Sequence, residues 1–386
     1  MRKRLVWPVV AALGLTLGLT APTGATAAPA LSPALSPALS PVAEQLPALK
    51  ALAEAGQARL GLTRSPMQDA ALAAIDPTQY ECSAAPPPVL SAILPDATNW
   101  TPDQRLAATL VLIFDIPMVD AVYLPQSGPF TYGADGDFTA QVNRTDRSLR
   151  TFWDIPSAGI ELVPAHGHSL LNPAVSARVL TALYGVNPAT AQAVGELIAV
   201  QLNTPALNQG DLPVFTFNAY AASGGEVIPG YPTAVRRIVL GDGVLDGFAK
   251  VGLGDVAPRA ILAHEFGHQV QFADNLMRTD LPAPEASRWA ELMADAFSSY
   301  FLAHARGGAV QWKRAQQFSQ VFFQVGDCGF SAPGHHGTPT QRMRTALWAY
   351  NVADTARPQG HILPALTFHS LFVAHYPQLI APDATS

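Results

Sequence analysis

The sequence predicts an α+β fold that is mainly helical and contains a small sheet. Pro213–Tyr220 alternates Val, Phe and Tyr with other residues as a strand does, and Arg236–Leu240 resembles a second strand after a glycine-rich turn. Leu253–Ala273 and Ser287–His304 follow with the apolar spacing of helices. Hydrophobic residues make up 49% of the 386 residues and charged residues 13%, which is enough apolar material for a sizeable core.

Residues 1–28 are typical of an export signal. A basic start at Arg2–Arg4 precedes the apolar stretch Leu5–Leu19, and small residues end the segment. The apolar stretch contains Pro8 and is shorter than the roughly 20 residues of a membrane span, so we expect cleavage rather than anchoring. The sequence therefore predicts a bacterial protein that is secreted or held in the cell envelope.

The rest of the chain divides into three parts. Residues 29–79 form an Ala/Pro-rich linker, in which residues 42–79 are either a possible pro-segment or a helix packed on the body. Residues 80–210 are predicted to be a mostly helical N-terminal part. Residues 211–386 contain the predicted strands and the residues that carry chemistry.

The charge balance argues against some partners. Net charge is −6, and removal of the leader takes away three of 23 positive charges and none of 29 negative ones. An acidic surface disfavours nucleic acid and anionic membrane as partners. We therefore expect no nucleic acid, and no membrane after the signal is removed.

The two cysteines, Cys82 and Cys328, are predicted to form a disulfide. Two cysteines in an exported protein usually pair. The alternative is a pair of buried free thiols.

The segment His264-Glu265-Phe266-Gly267-His268 predicts a metal site. On a helix, residues four apart share one face, so the two imidazoles can reach one ion. Glu265 can then take the proton of a water molecule that zinc acidifies. The alternative, two ordinary core histidines, would bury the Glu265 carboxylate among apolar neighbours at a high cost. We therefore expect one Zn²⁺ per chain.

A catalytic zinc usually has three protein ligands, and three acidic residues compete for the third position. Asp274 follows His268 by six residues, as in the pattern H-E-x-x-H-x-x-G-x-x-H/D, but that pattern needs glycine where this chain has Gln271. Otherwise only Glu285 and Glu291 are glutamates after the motif. Glu285 lies at a proline-rich helix start, where acidic residues are common.

Glu291 is the favoured third ligand because it lies in the middle of the second helix among apolar residues. Asp295 lies one turn later on the same face. A carboxylate there can accept the free N–H of a ligand histidine and fix the orientation of the ring.

These segments resemble the bacterial neutral zinc metallopeptidase family over about residues 210–350. The matching segments are Ala263–Gln271, Glu291–Phe297, Gly326-Asp327 and His336–Arg342. The resemblance implies a zincin-like fold of the gluzincin type, with His264, His268 and Glu291 on zinc and Glu265 as general base. It also implies that His336 stabilises the oxyanion; the alternative is a solvated loop histidine.

Two features depart from the family pattern. Cys328 stands where the family has a second acidic residue, and the long region up to about residue 210 has no counterpart. The resemblance therefore indicates little about substrate choice.

Other polar residues have competing interpretations. His166-Gly167-His168 could bind a second metal, although two histidines in a glycine loop are usually solvated. Arg342 is expected to form an ion pair with Asp327 or to contact substrate. Ile362–Tyr376 is predicted to be a packing helix.

Together these observations predict a secreted zinc metallopeptidase that hydrolyses peptide bonds with a zinc-bound water, acting on a protein or peptide substrate. One alternative is a non-proteolytic zinc-binding envelope module, for which Glu265 would be unnecessary. The other is a zinc amidase that acts on cell-wall amides.

Overall fold

The computed structural model describes residues 10–12, 40–62, 88–311, 313–317, 319, 336–355 and 360–381. Its strands are β1 (Val10–Ala12), β2 (Glu161–Ala165), β3 (Ala219–Ala222) and β4 (Arg237–Gly241). Its helices are α1 (Ser40–Glu44), α2 (Leu46–Leu60), α3 (Pro88–Ile93), α4 (Pro102–Phe114), α5 (Ile116–Tyr123), α6 (Thr139–Phe152), α7 (Pro173–Tyr184), α8 (Pro188–Leu202), α9 (Asp242–Lys250), α10 (Ala257–Ala273), α11 (Ala283–Ala303), α12 (Pro339–Thr355) and α13 (Ala365–Leu379). The prediction of a mainly helical α+β protein is confirmed.

The small sheet contains both parallel and antiparallel pairs. Its body is β3-β4-β2, with β1 added at the outer edge of β3. β2 runs parallel to β4, and Ala165 pairs with Gly241 at their carboxyl ends. β3 runs antiparallel to β4. Because β2 and β4 come from residues 80–210 and 211–386, these two parts of the chain share one sheet.

The sheet lies between two hydrophobic cores. Ile238 and Leu240 face the core that contains α10, α11 and α13, whereas Val239 faces the core of α4, α5, α7 and α8. Successive side chains of a strand point to opposite faces, and all five residues of β4 are buried. The sheet is therefore covered by helices on both sides, as expected for apolar strands.

Among the described residues, Pro102–Tyr123 is long and apolar enough to cross a membrane, with a mean hydropathy of 1.8 in its most apolar window. In the structure, 94% of that window is buried inside the protein. Asp115, in the left-handed region with φ 47°, separates α4 from α5. Such burial is typical of helices in the core of a folded domain.

Part of the predicted linker packs on the body. Leu49, Ala53 and Leu60 of α2 are buried in the second core, and Tyr123 Oη donates to the carbonyl of Leu60 at 2.9 Å. Residues 40–62 therefore pack against the body in the full chain.

One predicted strand is wrong in its position. Pro213–Thr216 forms a 3₁₀ turn, and the strand begins at Ala219. The backbone of α9 passes very close to this turn: a Cβ on Gly243 would lie 1.8 Å from the carbonyl oxygen of Pro213. Gly243 N–H also donates to Thr216 Oγ1 at 2.8 Å. This contact holds the segment in a turn, and its sequence pattern alone does not indicate that.

The start of the motif helix also differs from the prediction. The helix was expected from Leu253, but α10 begins at Ala257 and follows Val256 without a side-chain cap. Asp255 could cap a helix here, but it pairs with Arg314 of a distant segment.

Gln269 fastens the motif helix to the sheet. Its Nε2 donates to the carbonyls of Ala222 at 3.0 Å and Arg237 at 2.9 Å. Its Oε1 accepts from Arg236 Nε at 3.0 Å. These bonds fix α10 beside the end of β3 and the start of β4, and so determine where the neighbouring His268 lies.

Candidate metal site

The two motif histidines project from α10 toward α11. Gly267 allows the two helices to approach closely, because a Cβ at this position would lie 3.1 Å from Ala294 Cα and 3.3 Å from Phe297 Cβ. Ser298 Oγ also donates across the interface to the Ala260 carbonyl at 3.0 Å. This close packing brings α11 within reach of the histidines.

Four atoms from three side chains converge at the interface of these helices. His264 Nε2 and His268 Nε2 are 3.2 Å apart, and they lie 3.3 and 3.4 Å from the two oxygens of Glu291. Bonds of about 2.0–2.1 Å in a tetrahedral metal site place neighbouring ligand atoms roughly 3.3–3.4 Å apart. The three residues therefore form a group that could hold a metal ion, and all three are buried.

Asp295 orients the first histidine. Its Oδ1 accepts from His264 Nδ1 at 2.8 Å, which leaves Nε2 to face the group. Arg342 forms a two-bond pair with the same carboxylate, Nη2 to Oδ1 and Nε to Oδ2, both at 2.7 Å. Both Asp295 and Arg342 are fully buried. This is the carboxylate–histidine arrangement that commonly supports metal ligands.

Gln271 orients the second histidine. Its Nε2 donates to the Ala290 carbonyl at 2.7 Å, so its Oε1 faces His268 Nδ1 at 2.9 Å. Because an amide oxygen only accepts, His268 must carry a proton on Nδ1. Nε2 of His268 is thereby left as the atom available to an ion.

The Glu265 carboxylate lies buried beside the group. Neither of its oxygens has a hydrogen-bond partner among the described residues. Burial, opposed by His264, raises the pKa of Glu265 to about 8. An unpartnered buried carboxylate is costly, and its oxygens remain available to a water molecule or a ligand.

The charges within the group are strongly coupled. Burial alone would lower the pKa of His264, but hydrogen bonds to Asp295 and Glu291 raise it to about 9. Burial alone would raise the pKa of Glu291, but the charge of His336 and hydrogen bonds from the two histidines hold it well below its usual range. Glu291 is therefore ionised, as a metal ligand must be.

His336 is the predicted oxyanion residue. It is buried, at 3% exposure, just before α12. It lies close enough to Glu291 for its charge to lower the pKa of that carboxylate. The interpretation of His336 as a solvated loop histidine therefore does not fit its burial.

The rival third ligands lie outside the metal-binding groups found among the described residues. Asp274 is the residue that follows α10 and is only partly buried. Glu285 pairs with Arg288 in the first turn of α11. Glu291 is the acidic residue that the fold brings to both histidines.

Two supporting residues were not predicted. The sequence marks Gln271 only as a departure from the extended motif, although its position three residues after His268 places it on the same helix face. Arg342 was expected to pair with Asp327, which lies outside the described residues, and it pairs with Asp295. The predicted Cys82–Cys328 disulfide also falls outside the described residues and stays a prediction.

No family model, curated protein or solved structure matches this chain.

Proposed function

We propose that this chain is a zinc metallopeptidase of the zincin type, in which His264, His268 and Glu291 hold Zn²⁺ and Glu265 is the general base. One observation carries the proposal: nitrogen and oxygen atoms of three side chains pair at 3.2–3.4 Å, beside a buried carboxylate with no hydrogen-bond partner among the described residues. Two imidazoles and one carboxylate form a ligand set used by catalytic zinc, which keeps one position open. The resemblance to the bacterial neutral zinc metallopeptidase family points the same way.

When bound, zinc supplies a Lewis acid that acidifies water and polarises a carbonyl group. Glu265 follows His264 in the chain and can accept a proton and later deliver it to the leaving amine. Asp295 and Gln271 keep the Nε2 atoms of the two histidines directed at one point. His336, which acts on Glu291 through its charge, is the proposed stabiliser of negative charge on the substrate.

The outer edge of β3 is an argument for a peptide as the substrate. β1 pairs antiparallel with it, Val10 opposite Ala222, so this edge accepts an extended chain. Ala222 also receives the hydrogen bond from Gln269 of the motif helix. Because β1 belongs to the predicted leader, cleavage near residue 28 would free this edge. An extended peptide can then add to it through main-chain hydrogen bonds.

One observation favours a second candidate, a non-proteolytic metal module. His264, Glu265 and His268 have no exposed surface, and Glu291 is 2% exposed. A site without access from solvent suits a structural ion, because such an ion does not have to meet a substrate. Peptide hydrolysis requires the residues that cover the site to move, whereas a structural role does not.

Zinc content and cleavage of casein and short peptides test the proposal in the secreted protein. We expect one zinc at this site, and Glu265→Gln should keep it while activity falls by about 100-fold or more, because general-base catalysis contributes about that much. Glu291→Gln should weaken zinc binding. Glu285→Gln is the matched control, because Glu285 lies on the same helix and pairs only with Arg288 among the described ion pairs; it should behave as wild type.

Two outcomes would reject the peptidase proposal. If Glu265→Gln cleaves as fast as wild type, the general-base role is wrong. If the wild type holds zinc tightly at this site and cleaves neither casein nor peptides, the buried module is the better description.

A further inference from the structure

A second cluster of histidine and carboxylate side chains lies at the other end of the sheet. His166 directly follows β2 and Asp242 directly follows β4. The two strands are parallel, with Ala165 opposite Gly241. The residues that follow them therefore lie side by side at the same end of the sheet. His166 Nδ1 is 2.7 Å from Asp242 Oδ2.

His168 joins this cluster through a tight turn. The turn Gly167–Leu171 passes so close to Gly210 that a Cβ on Gly167 would lie 2.1 Å from the Gly210 carbonyl oxygen. Asp211 then holds His168 twice, accepting from its backbone N–H at 2.8 Å and contacting Nδ1 at 3.1 Å. The rings of His166 and His168 stack with centroids 5.0 Å apart.

The Asp242 carboxylate is incompletely satisfied. Its side chain is 4% exposed, and its Oδ1 is buried with no hydrogen-bond partner in the part of the chain that the structure describes. Its position in the first turn of α9 suits a negative charge, but that position gives Oδ1 no partner. Buried polar atoms are nearly always hydrogen-bonded, so a carboxylate oxygen without such a bond beside two imidazoles is suited to receive a cation.

We propose that His166, His168 and Asp242 bind a second Zn²⁺ ion, with Asp211 holding His168 in place. One ligand atom from each of the three residues lies within 4.8 Å of the others. Two imidazole nitrogens and a carboxylate oxygen are a ligand set that zinc accepts. His166 Nδ1 and Asp242 Oδ2 now lie at hydrogen-bond distance. If both atoms coordinated one ion, the distance between them would grow by about half an ångström.

Access and location both suit a separate site. The side chains of His166 and His168 are 22% and 47% exposed, so an ion can reach them from solvent. Gln269 attaches the first site to Arg237 at the start of β4, whereas Asp242 follows the end of that strand. Arg237 and Asp242 are five residues apart along an extended strand. At a rise of about 3.3 Å per residue, they are separated by roughly 17 Å. An ion here would clamp the turn after β2 to the start of α9.

Zinc titration of the full chain tests the proposal. Protein stripped with a chelator is titrated with Zn²⁺ against a chromophoric competitor, for wild type, His168→Ala and His361→Ala. His168 is the variant of choice because its side chain is half exposed and its loss leaves the core intact. His361 is the control: it is also exposed, and its described contact is through its backbone carbonyl.

We expect the wild type to bind two equivalents and His168→Ala to lose one of them, or to bind it at least tenfold more weakly, with peptidase activity unchanged. His361→Ala should titrate as wild type. If the wild type binds one equivalent of zinc and His168→Ala binds none, the result supports this site and counts against the site at His264. The proposal is overturned if His168→Ala titrates as wild type, or if His361→Ala loses the same equivalent, which would reveal non-specific surface binding.

Discussion

Replacement of Asp295 by asparagine tests how the first site is held together. The substitution keeps the size of the side chain but replaces one carboxylate oxygen with an NH₂ group. That group cannot accept a hydrogen bond, so the amide cannot serve His264 Nδ1 and both Arg342 donors at once. Either the histidine loses its orienting acceptor or the buried guanidinium loses part of its partner.

The expected loss has two parts. Removal of a carboxylate that orients a ligand histidine typically weakens metal binding 10- to 100-fold, which is about 1.4–2.7 kcal/mol. Breaking a buried ion pair by removing one partner costs about 3–5 kcal/mol of folding free energy. Arg342 also lies 3.7 Å from Glu291, which remains as a second carboxylate partner for its guanidinium. We therefore expect the loss in unfolding free energy to fall near the lower end of this range, about 3 kcal/mol.

Two measurements on the same variant separate these parts. Competition with a chromophoric chelator gives the zinc dissociation constant, and urea unfolding of chelated protein gives the free energy of unfolding. Asp137→Asn, in an exposed turn, is the matched control and should change neither quantity. If Asp295→Asn leaves both the zinc affinity within twofold and the free energy of unfolding unchanged, the shared role of Asp295 in holding His264 and Arg342 is refuted.

Three further results are expected. Gln271→Leu removes the acceptor of His268 Nδ1 and should weaken zinc binding by about tenfold in the same competition assay. Gly267→Ala forces a methyl group to within 3.1 Å of Ala294 and should lower the unfolding free energy by about 1–3 kcal/mol, measured by urea denaturation. In chelated protein, the pKa of Glu265 is raised to about 8, so the folded form keeps a proton that the unfolded chain releases. The unfolding free energy should therefore fall between about pH 4.5 and pH 8, and more steeply in wild type than in Glu265→Gln.

A specific result would contradict each of these three predictions. Gln271→Leu would contradict the assigned tautomer if it bound zinc as wild type does. Gly159→Ala is the control for the glycine change, because a Cβ at Gly159 would meet nothing within 4 Å; equal stability losses in the two variants would contradict the close-packing argument. Identical pH slopes for wild type and Glu265→Gln would show that Glu265 ionises normally.

Several features of the candidate site are local in the chain, and the sequence therefore predicts them. The spacing of His264 and His268 places them on one helix face whatever the rest of the fold does. The choice of Glu291 followed from the scarcity of glutamates after the motif and from its place inside an apolar helix. Helical periodicity predicted α10 and α11 with errors confined to their ends, which is usual because helix ends depend on caps and neighbours.

Contacts between distant residues were decided by the tertiary structure. Arg342 pairs with Asp295 across 47 positions of sequence, and no periodic pattern marks that pair. His166 and Asp242 are 76 positions apart, and they meet because parallel pairing of β2 with β4 fixes which residues leave the sheet together. Sequence patterns report the local geometry of one element, whereas register and helix packing depend on many weak contacts across the chain. The sequence by itself thus determined the motif and its candidate ligands, and the tertiary structure decided which side chains hold them in place and which distant residues meet at the second cluster.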